Sequence, residues 1–180
     1  MDIDYYTTGE KEFLLKIARK SIEEHLLNGV KFEPQTVNKK MWEKYGVFVS
    51  LFKNGDLCGC VGSVSPTESL ILSVRDNIIR AANDSRSEPL GFRDIEDMKI
   101  EISILSELER VKLGDIRSGD GVLLKHGKNS ATYLPSVWGE LKTKDKFLAS
   151  LAEKAGLDAN DYKDPKSEFW TYDSVVFGDK

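Results

Sequence analysis

The tightest constraint in this chain is a pair of apolar strings joined by Asn54-Gly55. Asn-Gly suits the two positive-φ positions of a two-residue turn, whose twist matches that of the strands it joins, so the segment reads as a β-hairpin. Such a turn pairs Lys53 with Asp56. Counting back with a period of two sets Phe52 against Leu57, Leu51 against Cys58, Val49 against Cys60 and Phe48 against Val61. On that register both cysteines share the face of Val47, Val49 and Leu51. The other face carries Phe48, Phe52, Leu57 and Val61. Both faces are apolar, so the hairpin is expected to be covered on both sides and central in the fold.

The remaining elements follow from periodicity and punctuation. Thr7 to Glu10 has the pattern of a capping box. Phe13, Ile17, Ala18, Ile22 and Leu26 then recur at helical spacing, and Gly29 is a C-terminal stop. His25 reads as a half-exposed residue near that helix end. Ser65-Pro66-Thr67-Glu68 resembles a second capping box with proline at the first helical position, followed by a buried stripe of Leu70, Val74, Ile78 and Ala81 or Ala82. Asp84 to Phe92 is a polar loop. Lys99 to Leu105 alternates as a strand. Val122 to Lys125 and Ala131 to Leu134 form a hairpin around Gly127-Lys128-Asn129, and Pro135 leads into a short helix carrying Val137 and Trp138. Phe147, Leu148, Leu151 and Ala155 mark a helix closed by Gly156, and Phe169 to Phe177 reads as one final strand. Helices and strands interleave, but hairpins connect the strands. That favours α+β with antiparallel pairing over a doubly wound parallel sheet.

Composition removes several function classes. The chain has 180 residues, enough to bury about 70% of its unfolded surface without disulfide or metal staples. Its 26 basic and 30 acidic residues leave a charge of -4 and no basic block, so no nucleic-acid partner is expected. Mean hydropathy is -0.37 and no apolar run approaches eighteen residues, so no membrane span is expected. The start, Met-Asp-Ile-Asp-Tyr-Tyr, has neither a basic nor an apolar region, which points to a cytoplasmic protein. Two cysteines one residue apart do not make a disulfide framework. Two histidines and one Cys-x-Cys do not supply the four ligands zinc takes, so no metal is expected. Glycine-rich phosphate loops and dinucleotide fingerprints are missing, and no cofactor is expected.

Cys60 carries the most chemistry. A thiol becomes nucleophilic beside a base, a cation or a helix N-terminus. The helix read as opening at Pro66 is one candidate, but an extended link from Cys60 to Ser65 spans about 16 Å, so Gly62-Ser63-Val64 must fold back for it to act. The other reading is a small buried hydrophobe on the Val49 and Leu51 face. Arg86, beside Asp84, is either an anion contact or half of a local pair. Tyr133 and Trp138, flanking Leu134-Pro135, are core or a ligand platform.

Gly59-Cys60-Val61-Gly62, with Ser65-Pro66 beyond it, resembles the Leu-Arg-Gly-Cys-Ile-Gly string of the AMMECR family. Further matches follow in order. Ala81-Ala82, Asp84-Ser85-Arg86 and Pro89 are similar to its Asp-x-Arg-Phe-x-Pro segment, and Ile100 to Ser106 to its alternating strand. Gly121-Val122 through Ala131-Thr132-Tyr133-Leu134-Pro135-Ser136-Val137 matches its Gly-Val to Leu-Pro-x-Val block, and Phe147-Leu148 with Lys154-Ala155-Gly156-Leu157 its late helix. The resemblance covers nearly all of 1–180 and implies a single α+β domain with a larger and a smaller lobe, mostly antiparallel sheets flanked by helices, and an interlobe cleft near the Gly-Cys-Val-Gly strand. The family has no established biochemical activity. Its members often accompany Memo-type and radical-SAM proteins in the AmmeMemoRadiSam system, which makes those two the implied partners. An enzyme or small-ligand binder acting on a small metabolite or a modified protein would use Cys60 as nucleophile or ligand contact, Arg86 as anion contact, and Ser63 and Tyr133 as polar groups lining the cleft. The alternative is a non-enzymatic adaptor with an exposed apolar patch. Two departures from the family pattern stand out: Cys58 in place of an arginine, and Ser87 in place of a phenylalanine.

Overall fold

The computed structural model describes residues 5–84 and 90–179. They form a mixed α/β protein with two four-stranded antiparallel sheets, in two compact units. The first unit runs to Leu105 and resumes at Val175, and the second is Ser106–Ser174.

In the first unit, helix α1 (Thr8–Asn28) is followed by the hairpin β1 (Val47–Lys53) and β2 (Asp56–Ser63), then α2 (Leu70–Ala82) and β3 (Met98–Leu105). Strand β8 (Ser174–Gly178) completes a sheet of order β2-β1-β3-β8. The α1 capping box is present: Thr7 Oγ1 accepts from the Glu10 N–H at 3.3 Å, and the Glu10 carboxylate accepts from the Thr7 N–H at 2.9 Å. Gly29 closes the helix in the left-handed conformation, with φ 66°. Val47, Val49 and Leu51 pair with Ile104, Ile102 and Ile100, and these six form the buried face of the sheet. Against them pack Leu14, Ile17, Ala18 and Ile22 of α1 and Leu70, Ile71, Val74, Ile78, Ala81 and Ala82 of α2. Each fully buried aliphatic side chain contributes about 1.5–3 kcal/mol, so this one face supplies most of the unit's driving force.

The second unit holds β4 (Glu109–Val111), the hairpin β5 (Gly121–His126) and β6 (Asn129–Tyr133), α3 (Trp138–Leu141), α4 (Lys144–Lys154) and β7 (Glu168–Tyr172), with sheet order β4-β7-β5-β6. Its core gathers Val122, Leu124, Trp138, Phe147, Leu148, Leu151 and Phe169. Trp138 stacks on Phe147 at 4.0 Å between centroids and donates its indole N–H to the Asp120 carbonyl at 2.8 Å.

Three sequence expectations are corrected. Helix α2 begins at Leu70 with Ser69 as its N-cap, four residues later than Pro66. The Ser63 hydroxyl accepts from the Ser65 N–H at 3.1 Å and donates to the Ser65 carbonyl at 2.9 Å. That local turn competes with helix entry, and 65–68 stays a loop. The aromatic string from Phe169 to Phe177 is two strands, broken at Asp173, with β7 in one sheet and β8 in the other. The short strand β4 has too few residues to show a period.

The third correction is the register of the central hairpin. Asn54 and Gly55 make the expected turn, with φ 55° and 90°, and Lys53 pairs with Asp56 and Phe52 with Leu57. The next pair is Leu51 with Gly59, so Cys58 is an extra residue in a β-bulge. Every later side chain of β2 changes face. Gly59, Val61 and Ser63 now share the face of Val47, Val49 and Leu51, whereas Cys60 pairs with Ser50 and lies on the opposite face. The bulge brings Gly59 beneath α2, where a Cβ would sit 2.1 Å from the Ala81 carbonyl oxygen. Only glycine permits that approach.

Candidate functional site

The bulge creates a polar row across three strands. Cys60 of β2 pairs with Ser50 of β1, and Ser50 pairs with Glu101 of β3. Directly opposed residues point to one face with Cβ atoms about 4.5–5.5 Å apart, so the three side chains stand side by side. The Ser50 hydroxyl donates to Cys60 Sγ at 3.4 Å. Ser50 is only 6% exposed and Ser103, on the same face, 3%, while Cys60 and Glu101 are half-buried. Burial pushes the Glu101 carboxyl above its ordinary value. A carboxyl tuned upward can hold or accept a proton nearer neutrality than a solvated glutamate does. Phe48 and Phe52, half-buried in the same face, give the row an apolar frame. A Cβ at Gly62 would lie 2.4 Å from the Phe48 ring, so the second glycine of the Gly-Cys-Val-Gly string makes room for that ring.

The main chain at Cys60 is held as well. Its N–H donates to Asp84 Oδ2 at 3.4 Å, from the residues that follow α2. Cys60 therefore lies alongside the C-terminal end of α2. The N-terminal pole that the sequence offered as a thiolate stabiliser is at the other end of the helix, and starts later than expected. Cys58, the bulge residue, is also half-buried, but its Sγ approaches the Asp56 carbonyl at 3.5 Å. The two thiols thus differ in partner and direction.

Of the other sequence candidates, Ser63 is in the first unit and Tyr133 in the second. Ser63 is exposed at the end of β2 and lines a cavity of about 620 Å³, whose wall does not include Cys60. Tyr133 belongs to the second unit, where its ring packs edge-on to Phe147 and its hydroxyl bonds to Ser150 Oγ at 2.9 Å. Those contacts give it a packing role. Arg86 lies outside the described residues. Sequence reasoning did not single out Ser50 or Glu101. Glu101 is the one charged residue inside the Ile100, Ile102 and Ile104 alternation, a signal that was available; Ser50 becomes informative only once the bulge is known. Among the described residues, no group of three or more His, Cys, Asp or Glu side chains is placed to hold a metal ion, and no helix is long and apolar enough to cross a membrane.

Comparison with known proteins gives a consistent family. A family model described as AMMECR1 matches residues 15–177. A protein of Methanopyrus kandleri is 32% identical over 95% of this chain and 89% of its own length. One from Thermococcus onnurineus is 30% identical over 92% of this chain and 88% of its own. The crystal structure of an uncharacterized protein from Pyrococcus horikoshii superposes with a TM-score of 0.89 at 29% identity, covering 94% of this chain and 91% of that one. The ordered motif matches around Cys60 and the α+β architecture thus lead to one conclusion: the chain belongs to the AMMECR1 family.

Proposed function

We infer that the first unit handles a small molecule at the Cys60 face, with the Cys60 thiol as its nucleophile or principal contact. The observation that carries this reading is the row of Cys60, Ser50 and Glu101, in which a hydroxyl donor steadies the sulfur and a raised carboxyl stands one strand further on. Ser50 would hold negative charge that develops on sulfur, and Glu101 would take or return the proton of the bound molecule. Arg86, two residues after Asp84 in sequence, is the proposed anion contact.

Cys58 provides an internal control, since both thiols are half-buried. Alkylation by iodoacetamide at pH 7, resolved by peptide mass spectrometry, is expected to be several-fold faster at Cys60 than at Cys58. Ser50→Ala should slow Cys60 at least about three-fold and leave Cys58 unchanged, and Glu101→Gln should alter the pH profile at Cys60 alone. Equal rates at the two thiols, or indifference to Ser50→Ala, would remove the reading.

A second reading has its own observation. Leu27, Val30, Val37 and Trp42 are all exposed within one short stretch of chain, Val37 completely. An adaptor would use such side chains against a partner, and the implied partners are the Memo-type and radical-SAM proteins. Pull-down with those two proteins that is lost in Val37→Ser/Trp42→Ser and kept in Cys60→Ser would favour the adaptor.

A further inference from the structure

Helix α2 carries two stripes. One is the apolar set of Leu70, Val74, Ile78 and Ala81 that enters the core. The other is Ser73, Asp76, Asn77 and Arg80, spaced i, i+3, i+4 and i+7, and all four line the 620 Å³ cavity. Burying polar groups on a helix costs stability unless they are bonded, and Asn77, the buried member of the stripe, is tied in. Asn77 is 2% exposed and donates from Nδ2 to the Val47 carbonyl at 3.0 Å, while the Arg80 guanidinium donates to Asn77 Oδ1. Asn77 thus positions Arg80 at the wall.

The charges in the wall are unevenly matched. Burial works against ionising Asp76, yet its carboxyl is held below the ordinary range by Arg75 at 2.7 Å and Lys31 at 3.1 Å. Its charge is already answered twice. Arg80 is different: it is exposed, and among the described residues no carboxylate pairs with it. A guanidinium has five N–H donors in a planar fork, and Asn77 occupies few of them. Hydroxyls of Ser65 and Thr67 edge the same cavity, and Glu68 beside them is an exposed acceptor. Pro66, Ile79 and the Tyr45 ring add apolar surface. The volume is within the roughly 300–1,000 Å³ typical of small-molecule sites.

We propose that this cavity binds a small molecule carrying an oxyanion, phosphate or carboxylate, on a hydroxyl-bearing ring, with Arg80 gripping the oxyanion. Lys31 adds a second cation whose position Asp76 fixes. Ser73 and Thr67 offer hydroxyls to the ring substituents, and Pro66, Ile79 and Tyr45 pack against its carbon skeleton. The site is independent of the Cys60 thiol, which is not part of its wall.

Titration calorimetry of the full chain at low salt tests this with four probes: ribose 5-phosphate, AMP, quinate and uncharged adenosine. At least one of the three anions is expected to bind with a Kd below about 1 mM, and ribose 5-phosphate against quinate tells phosphate from carboxylate. Arg80→Gln should weaken that binding about ten-fold or more, as loss of a charge-assisted contact does. Thr67→Val, on an exposed loop, should weaken it by a smaller factor, and Cys60→Ser should leave it unchanged. Circular dichroism verifies that each variant stays folded. Failure of all three anions, adenosine binding as tightly as AMP, indifference to Arg80→Gln, or loss of binding in Cys60→Ser would each overturn the proposal. The last of these would transfer the ligand to the Cys60 face, whereas loss of Cys60 reactivity alone would leave this site standing.

Discussion

Glu10 joins the start of α1 to the segment ahead of β1. Burial opposes its ionisation, but the Thr7 N–H, Asn38 and Lys40 donate to it and bring its carboxyl down to about 2. Lys40 is in turn seated over the Tyr5 and Tyr6 rings, 4.0 and 4.2 Å from their centroids. The folded value lies below the unfolded value of about 4.3, so ionised Glu10 favours the fold above that pH and its contribution fades as pH falls from about 5 toward 2. Glu10→Gln removes the anion but keeps a side-chain oxygen that can accept from the Thr7 N–H, so the capping box can persist. It is expected to cost about 1 kcal/mol at pH 7, an amount that reflects the lost charge-assisted contacts and a solvent-discounted ion pair. Urea denaturation at pH 6 and pH 3 checks the sign: the gap between the two proteins should narrow at the lower pH. A gap that stays constant would mean the carboxylate's charge is immaterial there.

Elements show where sequence patterns transmit structure and where they lose it. The alternation from Lys99 to Leu105 became β3 with one added residue, because its three isoleucines have a single buried face to occupy. The Asn-Gly turn is local chemistry and formed as read. The bulge at Cys58 is different in kind. A period of two carries no mark of where one residue is skipped, and the reason for skipping lies in α2, whose Ala81 carbonyl needs a glycine beneath it. Hence an unbroken period of two puts Cys60 on the wrong face, away from Ser50 and Glu101. The polar stripe of Ser73, Asp76, Asn77 and Arg80 was legible at helical spacing, but nothing in the sequence tells a solvated stripe from one lining a cavity. Gly59→Ala tests the bulge argument. Its Cβ would collide with backbone that cannot rotate away, so the expected loss is about 3 kcal/mol by thermal or urea unfolding. Gly139→Ala, with nothing within 4 Å of the added carbon and a helical setting, should cost nothing or stabilise slightly. Equal effects at the two glycines would indicate that the close approach to α2 has no energetic weight.

At the scale of the whole chain, the path itself has consequences. The first unit is built from two separated stretches, and β8 returns after the second unit to close its sheet. Val175 is buried there, and Asp179 accepts from the Ile100 N–H at 2.8 Å and pairs with Arg19 at 2.5 Å. The second unit is one continuous stretch whose ends meet: the Ser106 N–H donates to the Asp173 carbonyl, and the Asp173 N–H donates to Ser106 Oγ, both at 2.9 Å. A segment with its own core and clasped ends has what it needs to fold alone, although at this size its stability should be no more than about 3–5 kcal/mol. Residues 106–174 expressed as a separate polypeptide are therefore expected to give a β-containing circular dichroism spectrum and a cooperative transition followed by the fluorescence of Trp138 and Trp170. The chain truncated after Ser174 should fail differently. Without β8 it exposes the β3 edge and leaves Arg19 unpaired with Asp179, so amide exchange should rise across β1 and β3 while β5 and β7 keep their protection. An unfolded excised segment, or a truncation that loosens β5 and β7 as much as β1 and β3, would show that the chain's two cores are a single cooperative unit.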